Sequence, residues 1–378
     1  MRVLFVNRDT IVGGGNTYLV HLGRTLGVLG ARAEILVSSG GAWLPRFRES
    51  FRTAKVVPLY HPLQAPLLAL ALRRHRIDVV NAHAFTQARI ADRACQLARV
   101  PLVVTMHGGI GPRRKVQYRP ILGRARATVV MNERLALFFR EVGVPEERIV
   151  LSRLPVVLPE RARLEARPAR SFAYCSRLSG NKAPKCAAWL RGVAEAGLDV
   201  DRITVIGDGD ERPKLERLAV SLGLDVEWAG MLPDASERFA DFDVVCGAGY
   251  VALEAIAAGA AVVGMGFSGC FGAVDSENFD QAVACNFGDQ IAQNVGEPSE
   301  VVAGELARAV KVLARGDALA ARQRMRTLFD ADRVGREMVG LYEAVRDGTP
   351  VAAHTRPLDT RLDRLPDWVR GGYARLGR

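Results

Sequence analysis

The sequence predicts an α/β protein made of two Rossmann-like, doubly wound domains. Three observations support this prediction. The chain has 378 residues, more than one hydrophobic core usually organises. Short apolar runs alternate with segments of helical periodicity, and this alternation stops once and then starts again.

The first series of elements lies in the N-terminal half of the chain. The apolar run RVLFV predicts a strand, which leads through the glycine run 13–15 into a helix that Gly30 closes. The further predicted strands and helices are RAEILVSS, DVVNAHA (78–84), a helix from about Thr86 to Ala98, PLVVTMH (101–107), ATVVMN (127–132) and the helix ERLALFFREVG. Alternating strands and helices predict a parallel sheet covered on both faces.

A second series begins after residues 151–171, where proline and arginine replace the periodic pattern. Its predicted strands are FAYCSR (172–177), ITVIGDGD (203–210), DVEWAG, DVVCGAG (243–249) and AAVVGMG (260–266), with helices between them. We therefore predict an N-terminal domain over 1–157, a C-terminal domain over 158–328, a helix at 329–346 that returns to the N-terminal domain and a basic tail over 347–378. Ligands of such sheets bind at the carboxyl ends of the strands, so two facing domains are expected to enclose a cleft.

Composition places the chain among soluble globular proteins, since 49% of its residues are hydrophobic and 25% are charged. Its six cysteines are scattered without a C-x-x-C pair, so neither a disulfide framework nor a metal site is expected, and a reducing cytoplasm fits best. The first apolar run is too short for a signal peptide, and no apolar run reaches the length of a membrane span.

The positive charge of the chain is concentrated in its first half. Residues 1–165 carry 26 Lys and Arg against 11 Asp and Glu, a balance of +15, whereas the remainder carries 26 against 30, a balance of −4. The cations cluster at RRHR (73–76) and in GPRRKVQYRPILGRARA (111–127). Such clusters favour an anionic partner, either a phosphate-bearing acceptor, an anionic lipid surface or a nucleic acid, although solvated arginine faces would give the same count.

Three glycine-rich or cationic turns follow predicted strands. The run Gly13–Gly15 could bring backbone amides to a phosphate at a helix N-terminus or could form a tight turn, and VIGDGDE (205–211) leaves the same alternatives open. In SRLSGNK, Arg177 ends a strand and Lys182 enters a helix. Two cations and free amides suit a diphosphate in the absence of a metal, so we favour that role over solvated loop charge.

Glu254 is the one charged residue in CGAGYVALEAIAAGAAVVGMG (246–266). An unpartnered carboxylate is costly among apolar neighbours. If Tyr250 begins a helix, Glu254 lies in its first turns, where a carboxylate could accept two hydrogen bonds from a ligand diol or could cap neighbouring amides.

These motifs, in this order, resemble the GT-B glycosyltransferases, particularly the retaining family 4 enzymes that use nucleotide-diphosphate sugars. The resemblance extends to about residue 346. It implies that Arg177 and Lys182 bind the donor diphosphate and that Glu254 holds the ribose hydroxyls. It also implies a catalytic role beside the donor sugar for His83. The further donor-binding candidates are Gly14, Gly15, Gly209, Met231, Tyr250 and Val251, and the acceptor-side candidates are His107, Arg113, Arg114 and Lys115.

The sequence departs from that family at Cys246, where relatives usually carry a glutamate that contacts the donor sugar. A thiol cannot accept hydrogen bonds from sugar hydroxyls as a carboxylate does. Sugar recognition is therefore expected to move to Gly247–Tyr250 and the loop GFSGCFG (266–272), unless the activity is altered or lost. The segment 274–289 is also unlike the family's common pattern and indicates a divergent subgroup.

The resulting expectation is a bacterial enzyme that transfers a sugar from a nucleotide-diphosphate donor, of UDP or GDP type, to a hydroxyl of a cell-envelope glycan or lipid-linked acceptor. Retention of configuration and independence from metals and other cofactors are expected. The enzyme would be cytoplasmic, with peripheral binding to the inner face of the membrane, and would have no nucleic-acid partner. The alternatives are an epimerase or hydrolase of the same fold and a catalytically silent protein that binds a nucleotide sugar.

Overall fold

The computed structural model describes residues 1–61, 63–180, 182–291 and 299–351, with the backbone alone at 112 and 113. The described chain forms two compact units. Unit 1 contains Met1–Pro155 and the segment that begins at Ala331, whereas unit 2 contains Val156–Asp330. Unit 1 is therefore assembled from two stretches of chain that are distant in sequence.

Unit 1 is built on a parallel sheet of seven strands. They are β1 (Arg2–Asn7), β2 (Arg32–Val37), β3 (Thr53–Val56), β4 (Val79–Ala82), β5 (Leu102–Met106), β6 (Ala127–Val130) and β7 (Ile149–Leu151). Their order in the sheet is β3-β2-β1-β4-β5-β6-β7, and every neighbouring pair is parallel. The central strands are nearly continuous apolar runs because helices cover both faces of a parallel sheet.

The helices of this part of the chain are α1 (Gly14–Val28), α2 (Leu44–Ser50), α3 (Gln64–Arg74), α4 (Phe85–Ala98), α5 (Pro112–Arg124) and α6 (Glu133–Val142), followed by a 3₁₀ turn at Glu146–Arg148. The chain changes direction in the sheet between β1 and β4, which pair side by side. At this switch point the loops that leave two neighbouring strands diverge and open a crevice at their carboxyl ends. The loop after β1 carries Gly13–Gly15, and His83 directly follows β4.

Unit 2 contains a six-stranded sheet. Its strands are β8 (Ser171–Cys175), β9 (Arg202–Ile206), β10 (Val226–Gly230), β11 (Val244–Gly247), β12 (Ala261–Met265) and β13 (Cys270–Val274). The order is β10-β9-β8-β11-β12-β13. All neighbours are parallel except β12 and β13, which form an antiparallel edge pair. Here the switch point lies between β8 and β11, so the loops after these two strands form the expected crevice.

Helices of unit 2 cover this sheet. They are α7 (Ala183–Glu195), α8 (Arg212–Ser221), α9 (Ala235–Arg238), α10 (Tyr250–Ala258), α11 (Phe279–Ala284), α12 (Ser299–Arg315) and α13 (Asp317–Phe329), with 3₁₀ turns at Phe239–Asp241 and Asn286–Gly288. A core of buried apolar side chains, with Phe172, Trp189 and Leu306 among its members, fills the space between the sheet and the helices. None of the helices in the described ranges is both long and apolar enough to cross a bilayer.

The last described helix, α14 (Ala331–Asp347), belongs to unit 1. Its Tyr342 is fully buried, and the Tyr342 hydroxyl accepts a 2.7 Å hydrogen bond from Asn81 Nδ2 on β4. The Thr105 hydroxyl on β5 donates to the side-chain oxygen Oδ1 of Asn81 at 2.9 Å. This buried polar chain fixes α14 to the middle of the sheet, because each of its members would be costly to bury without a partner.

The predicted α/β class with two doubly wound domains is confirmed. The elements that sequence analysis did not anticipate are α2, β3, α3, α5, β7, β13, α11 and α13. The helix α3 was missed because leucines lie on both of its faces, and α5 was missed because it contains Pro120 and a basic first turn. The predicted helix at 329–346 corresponds to α14 (Ala331–Asp347), which begins two residues later because the chain breaks from α13 at Asp330. Residues 352–378 of the predicted tail lie outside the described residues.

Candidate functional site

The glycine loop of unit 1 is held by amide and carboxylate side chains. Asn7 Nδ2 donates to Asn16 Oδ1 at 2.8 Å, and Asn16 Nδ2 donates to the Ile11 carbonyl at 2.8 Å and to Asp9 Oδ1 at 3.2 Å. The helix α1 then begins at Gly14, and no side chain of the described residues caps it. The first amides of a helix have no intrahelical acceptor, so this fixed loop presents donors at the switch point.

His83 and His107 are brought into contact at the same edge of the sheet. His83 Nδ1 lies 3.0 Å from His107 Nε2, and the two rings stack at 5.3 Å between centroids. Tyr18 packs edge-on against His107 at 5.0 Å. A Cβ on Gly15 would lie 3.4 Å from His107 Cδ2, so the glycine lets the loop backbone lie close to the ring.

Both histidines are neutral at physiological pH. Burial, together with the neighbouring His107, holds the pKa of His83 well below its usual value, and burial lowers the pKa of His107 to about 4. Their short contact requires that one of the two facing nitrogens carries a proton and donates a hydrogen bond, which the other nitrogen accepts. His83 Nε2 is buried and has no hydrogen-bonding partner among the described residues, so it is an available group at this edge.

Three of the acceptor-side candidates, Arg113, Arg114 and Lys115, lie on the first turn of α5, which follows β5 and the fourth candidate, His107. Arg114 is exposed, with its guanidinium 5.8 Å from the centre of the Phe85 ring, and Lys115 Nζ lies 4.8 Å from the centre of the Phe138 ring. The side chain of Arg113 lies outside the described residues. Cations at a helix N-terminus oppose the helix dipole, and no acidic residue balances them in this turn. Their positive charge therefore does not stabilise the helix, and it can attract an anionic ligand.

The loop after β8 carries the two cations predicted to bind a diphosphate. Arg177 is exposed, and its side chain makes no hydrogen bond or ion pair within the part of the chain that the structure describes. Lys182 precedes α7, where its carbonyl accepts a 3.3 Å hydrogen bond from the Tyr174 hydroxyl. Its ammonium is 2.7 Å from Asp289 Oδ1, so Lys182 is already paired with a carboxylate.

Gly209 belongs to a loop that is pressed against the Arg177 loop. A Cβ on Gly209 would lie 2.4 Å from the Leu178 carbonyl oxygen, and one on Gly207, which has φ of 143°, would lie 1.8 Å from the Ser176 carbonyl oxygen. The Gly209 amide donates to Asp208 Oδ1 at 2.8 Å. The glycines in VIGDGDE therefore allow two loops to approach each other, which sequence analysis could not distinguish from a phosphate-binding role.

The turn before α10 lies at the carboxyl end of β11, on the other side of the switch point. Gly249 adopts φ of 60° and ψ of −126° and ends the turn, and no side chain in the described ranges caps the helix. Tyr250 is buried, and Val251 is half-buried and packs on Gly247, where a Cβ would lie 2.4 Å from Val251 Cγ1. This turn thus presents uncapped amides beside the Arg177 loop.

Glu254 is half-buried in the second turn of α10, one turn beyond Tyr250. It lies near the end of β8, where its charge adds to burial in raising the pKa of the Cys175 thiol to about 12. Arg177, Lys182 and Glu254 therefore belong to elements that meet at one switch point. Met231 is exposed after the edge strand β10, separated from β8 by β9, and is not brought to that point.

Cys246 lies on β11 and does not reach the surface. It is fully buried beside Trp189, Cys186 and Cys270, and burial raises the pKa of its thiol well above the usual value. No local sequence pattern indicated Asp289 or the nearby Asn286, which approach the Gly249 turn from a distant segment. The signal was absent because Asp289 is 107 residues from Lys182 in sequence.

Two doubly wound units with glycine and cationic loops at their switch points define the fold class of the GT-B glycosyltransferases. Residues 12–156 match the family described as Glycosyltransferase Family 4. No curated protein matches the chain significantly.

Solved structures show the same fold. A glycosyltransferase from Rickettsia africae superposes with a TM-score of 0.72 at 16% identity, over 91% of this chain and 98% of that one. HepE from Anabaena in complex with UDP gives a TM-score of 0.71 at 17% identity, over 91% and 100%. Sucrose-phosphate synthase from Thermosynechococcus elongatus gives 0.67 at 16% identity, over 92% and 100%. These neighbours show the GT-B fold, and the family match covers residues 12–156 of the chain.

Proposed function

We propose that this protein transfers a sugar from a nucleotide-diphosphate sugar to a hydroxyl of a cell-envelope glycan or lipid-linked acceptor, with retention of configuration and without a metal. The observation that carries the proposal is the switch point of unit 2. There the exposed cation Arg177, the start of α10, which no side chain of the described residues caps, and the half-buried Glu254 belong to adjoining elements. That combination suits a diphosphate beside a diol.

The donor would bind to unit 2 through these groups. Arg177, Lys182 and the amides at the start of α10 would stabilise the negative charge of the departing diphosphate, and Glu254 would accept hydrogen bonds from the ribose hydroxyls. The proposed donor is of UDP or GDP type, and the structures of HepE with UDP and with UDP-glucose support the UDP type.

The acceptor would bind to unit 1. His83 Nε2 supplies an unpartnered buried ring nitrogen among the described residues, and the first turn of α5 supplies uncompensated positive charge. Neutral imidazole can accept a proton from a hydroxyl, and clustered cations attract a phosphate-bearing acceptor.

A peripheral position on an anionic membrane is part of the proposal. On α3, Leu67 and Leu70 are 70% and 64% exposed, and Leu63 just before the helix is 75% exposed. They occupy one face at positions i, i+4 and i+7, while Arg73 and Arg74 are exposed at the end of the same helix. An apolar face flanked by arginines suits the headgroup region of an anionic bilayer.

The proposal is tested with UDP-, GDP- and ADP-sugars, measuring thermal stabilisation and release of the nucleotide diphosphate with envelope lipid and glycan acceptors. Stabilisation by one sugar nucleotide and acceptor-dependent release are expected, and nuclear magnetic resonance of the product should show the anomeric configuration of the donor. Release that is independent of the acceptor would instead identify a hydrolase. Binding without release would identify a silent binding protein, and activity lost with a chelator would contradict the metal-independent mechanism.

A further inference from the structure

Two loops of unit 2 interlock beside the start of α10. Gly266–Gly269 follows β12, and Asn286–Asp289 follows α11. The Ser268 amide donates to the Gly288 carbonyl at 3.1 Å, and the Ser268 hydroxyl donates to the Asp289 carbonyl at 2.9 Å. A Cβ on Gly266 would lie 2.2 Å from the Asp289 nitrogen. These contacts leave the backbone of Asp289 little freedom to move.

The Asp289 carboxylate joins three separate elements. Its Oδ1 accepts hydrogen bonds from the Phe267 amide at 2.8 Å and from Lys182 Nζ at 2.7 Å, while its Oδ2 accepts one from Asn286 Nδ2 at 3.2 Å. Its side chain is 26% exposed, so it faces solvent. A carboxylate has about four acceptor positions, and the three bonds leave Oδ2 able to accept another.

The turn that holds this carboxylate is strained. Asn286 and Phe287 are consecutive residues with φ of 53° and 56°, a left-handed conformation that is uncommon for asparagine and rare for phenylalanine. It brings the Asn286 and Asp289 side chains next to Gly249. From the position of a Cβ on Gly249, Asn286 Nδ2 is at 3.3 Å and Asp289 Oδ2 is at 3.8 Å.

We propose that Asp289, assisted by Asn286, binds the hydroxyl groups of the donor sugar. This inference rests on the proposed function of the unit 2 site. The strand β11 cannot supply an acceptor from Cys246, since that thiol is buried in the core. Asp289 Oδ2 instead places a carboxylate oxygen beside the Gly249 turn, where it can accept hydroxyl hydrogen bonds, and the Asn286 amide can donate to hydroxyl oxygens.

The pairing with Lys182 sets the distance from the diphosphate. An ammonium that donates to two acceptors at about 2.8 Å each holds those acceptors within about 6 Å of each other. A sugar hydroxyl near the anomeric carbon lies within that range of a phosphate oxygen. Lys182 also offsets the repulsion between the Asp289 carboxylate and the diphosphate. Lys182 would thereby couple diphosphate binding to sugar recognition.

The test compares Asp289→Asn with the wild-type protein in two titrations. One uses the nucleotide diphosphate and the other uses the sugar nucleotide with the same base, with UDP and UDP-glucose as the first pair and the GDP and ADP pairs as the others. We expect affinity for the sugar nucleotide to fall about tenfold, the scale of a lost charged hydrogen bond, and affinity for the free nucleotide to change less than about threefold. Asn286→Gly, which keeps the left-handed turn, should lower the affinity for the sugar nucleotide in the same selective way but by a smaller factor.

Equal losses for both ligands would overturn the inference, because they would show that Asp289 only positions Lys182. Unchanged affinity for both would also overturn it while leaving the proposed function intact. Wild-type protein that binds no member of any pair would overturn both. Asp280→Asn is the matched control, since Asp280 pairs with Arg324 on the surface, and it should change neither titration. Thermal melting of each variant would show that the fold is kept.

Discussion

At the scale of single residues, the two cations of the unit 2 site have different surroundings. Lys182 is neutralised by Asp289, whereas Arg177 is exposed and forms no ion pair with the described residues. Glu254 is half-buried near the end of β8. Removing the side chain of Arg177 or Glu254 should therefore lower the affinity for a nucleotide ligand the most.

We expect Arg177→Ala and Glu254→Ala each to weaken binding of the sugar nucleotide by at least about tenfold, because each removes a charged hydrogen bond to the ligand. Isothermal titration calorimetry would measure the dissociation constants. Arg191→Ala on the same unit, in the exposed face of α7, serves as the control. Wild-type affinity in both site variants would refute the assigned roles.

The histidine pair predicts a loss of stability in mild acid. The pKa of His107 is about 4 in the folded protein, against 6.5 for an unperturbed histidine, so the unfolded chain binds more protons between these values. The contribution of neutral His107 to the free energy of unfolding is complete above about pH 6.5. It falls as the pH drops toward 4, and by pH 5 the loss from His107 alone is about 2 kcal/mol.

His107→Asn should therefore show a smaller decrease in melting temperature between pH 7 and pH 5 than the wild-type protein. Circular dichroism melts at the two pH values would measure this difference. The exposed residue His75 provides the control, and His75→Asn should keep the wild-type decrease. An unchanged decrease in His107→Asn would contradict the buried neutral state of His107.

At the scale of elements, the loops after β8 and β9 are held together through glycine. The Ser176 amide donates to the Ile206 carbonyl at 3.1 Å, and the Leu178 amide donates to the Asp208 carbonyl at 2.9 Å. Gly207 lies between them, and a Cβ at this position would point at the Ser176 carbonyl oxygen. The geometry of the Arg177 loop depends on this contact.

Gly207→Ala should destabilise the protein by about 3 kcal/mol or more, since it adds a backbone clash at a left-handed φ. Chemical denaturation would measure the change. Gly304→Ala is the comparison, because Gly304 is exposed on α12 and, beyond its own helix backbone and chain neighbours, no atom of the described residues lies within 4 Å of the added Cβ. It should be neutral or stabilising by up to about 1 kcal/mol. Equal effects of the two changes would contradict this explanation.

The exposed leucines of α3 make a second prediction at this scale. Leu67→Ser combined with Leu70→Ser should reduce binding to vesicles of phosphatidylglycerol by about tenfold or more, because each buried leucine contributes about 1.5–3 kcal/mol. Sedimentation with vesicles would measure the bound fraction, which should also fall with added salt. Val220→Ser on α8, where the valine is 78% exposed, should have no effect. Equal binding to neutral phosphatidylcholine vesicles would contradict the contribution of the arginines.

At the scale of the whole molecule, unit 1 includes the helix α14, which follows unit 2 in the sequence. The contact between Asn81 and Tyr342 joins residues 261 positions apart. Tyr342→Phe removes the acceptor of Asn81 Nδ2 and should cost about 1–3 kcal/mol. Hydrogen exchange with mass spectrometry should show faster exchange in β4 and β5, with unit 2 unchanged, and Tyr60→Phe, at an exposed residue, is the control. Uniform acceleration in both units would contradict a local role.

The sequence by itself determined the architecture, because strand and helix periods are local properties and the two series of elements repeat along the chain. It also indicated Arg177, Lys182 and Glu254, since each follows or enters a recognisable element. It did not reveal α3 or α5, whose apolar and basic residues break the helical period.

Only the tertiary structure decided which distant groups meet. The pairing of His83 with His107 depends on two neighbouring strands that end at one edge, and the pairing of Lys182 with Asp289 joins loops 107 residues apart. The strand order likewise separated Met231 from the switch point. Such contacts arise from packing between elements, which no local pattern encodes, so the carboxylate that we infer to bind the donor sugar could be found only from the fold.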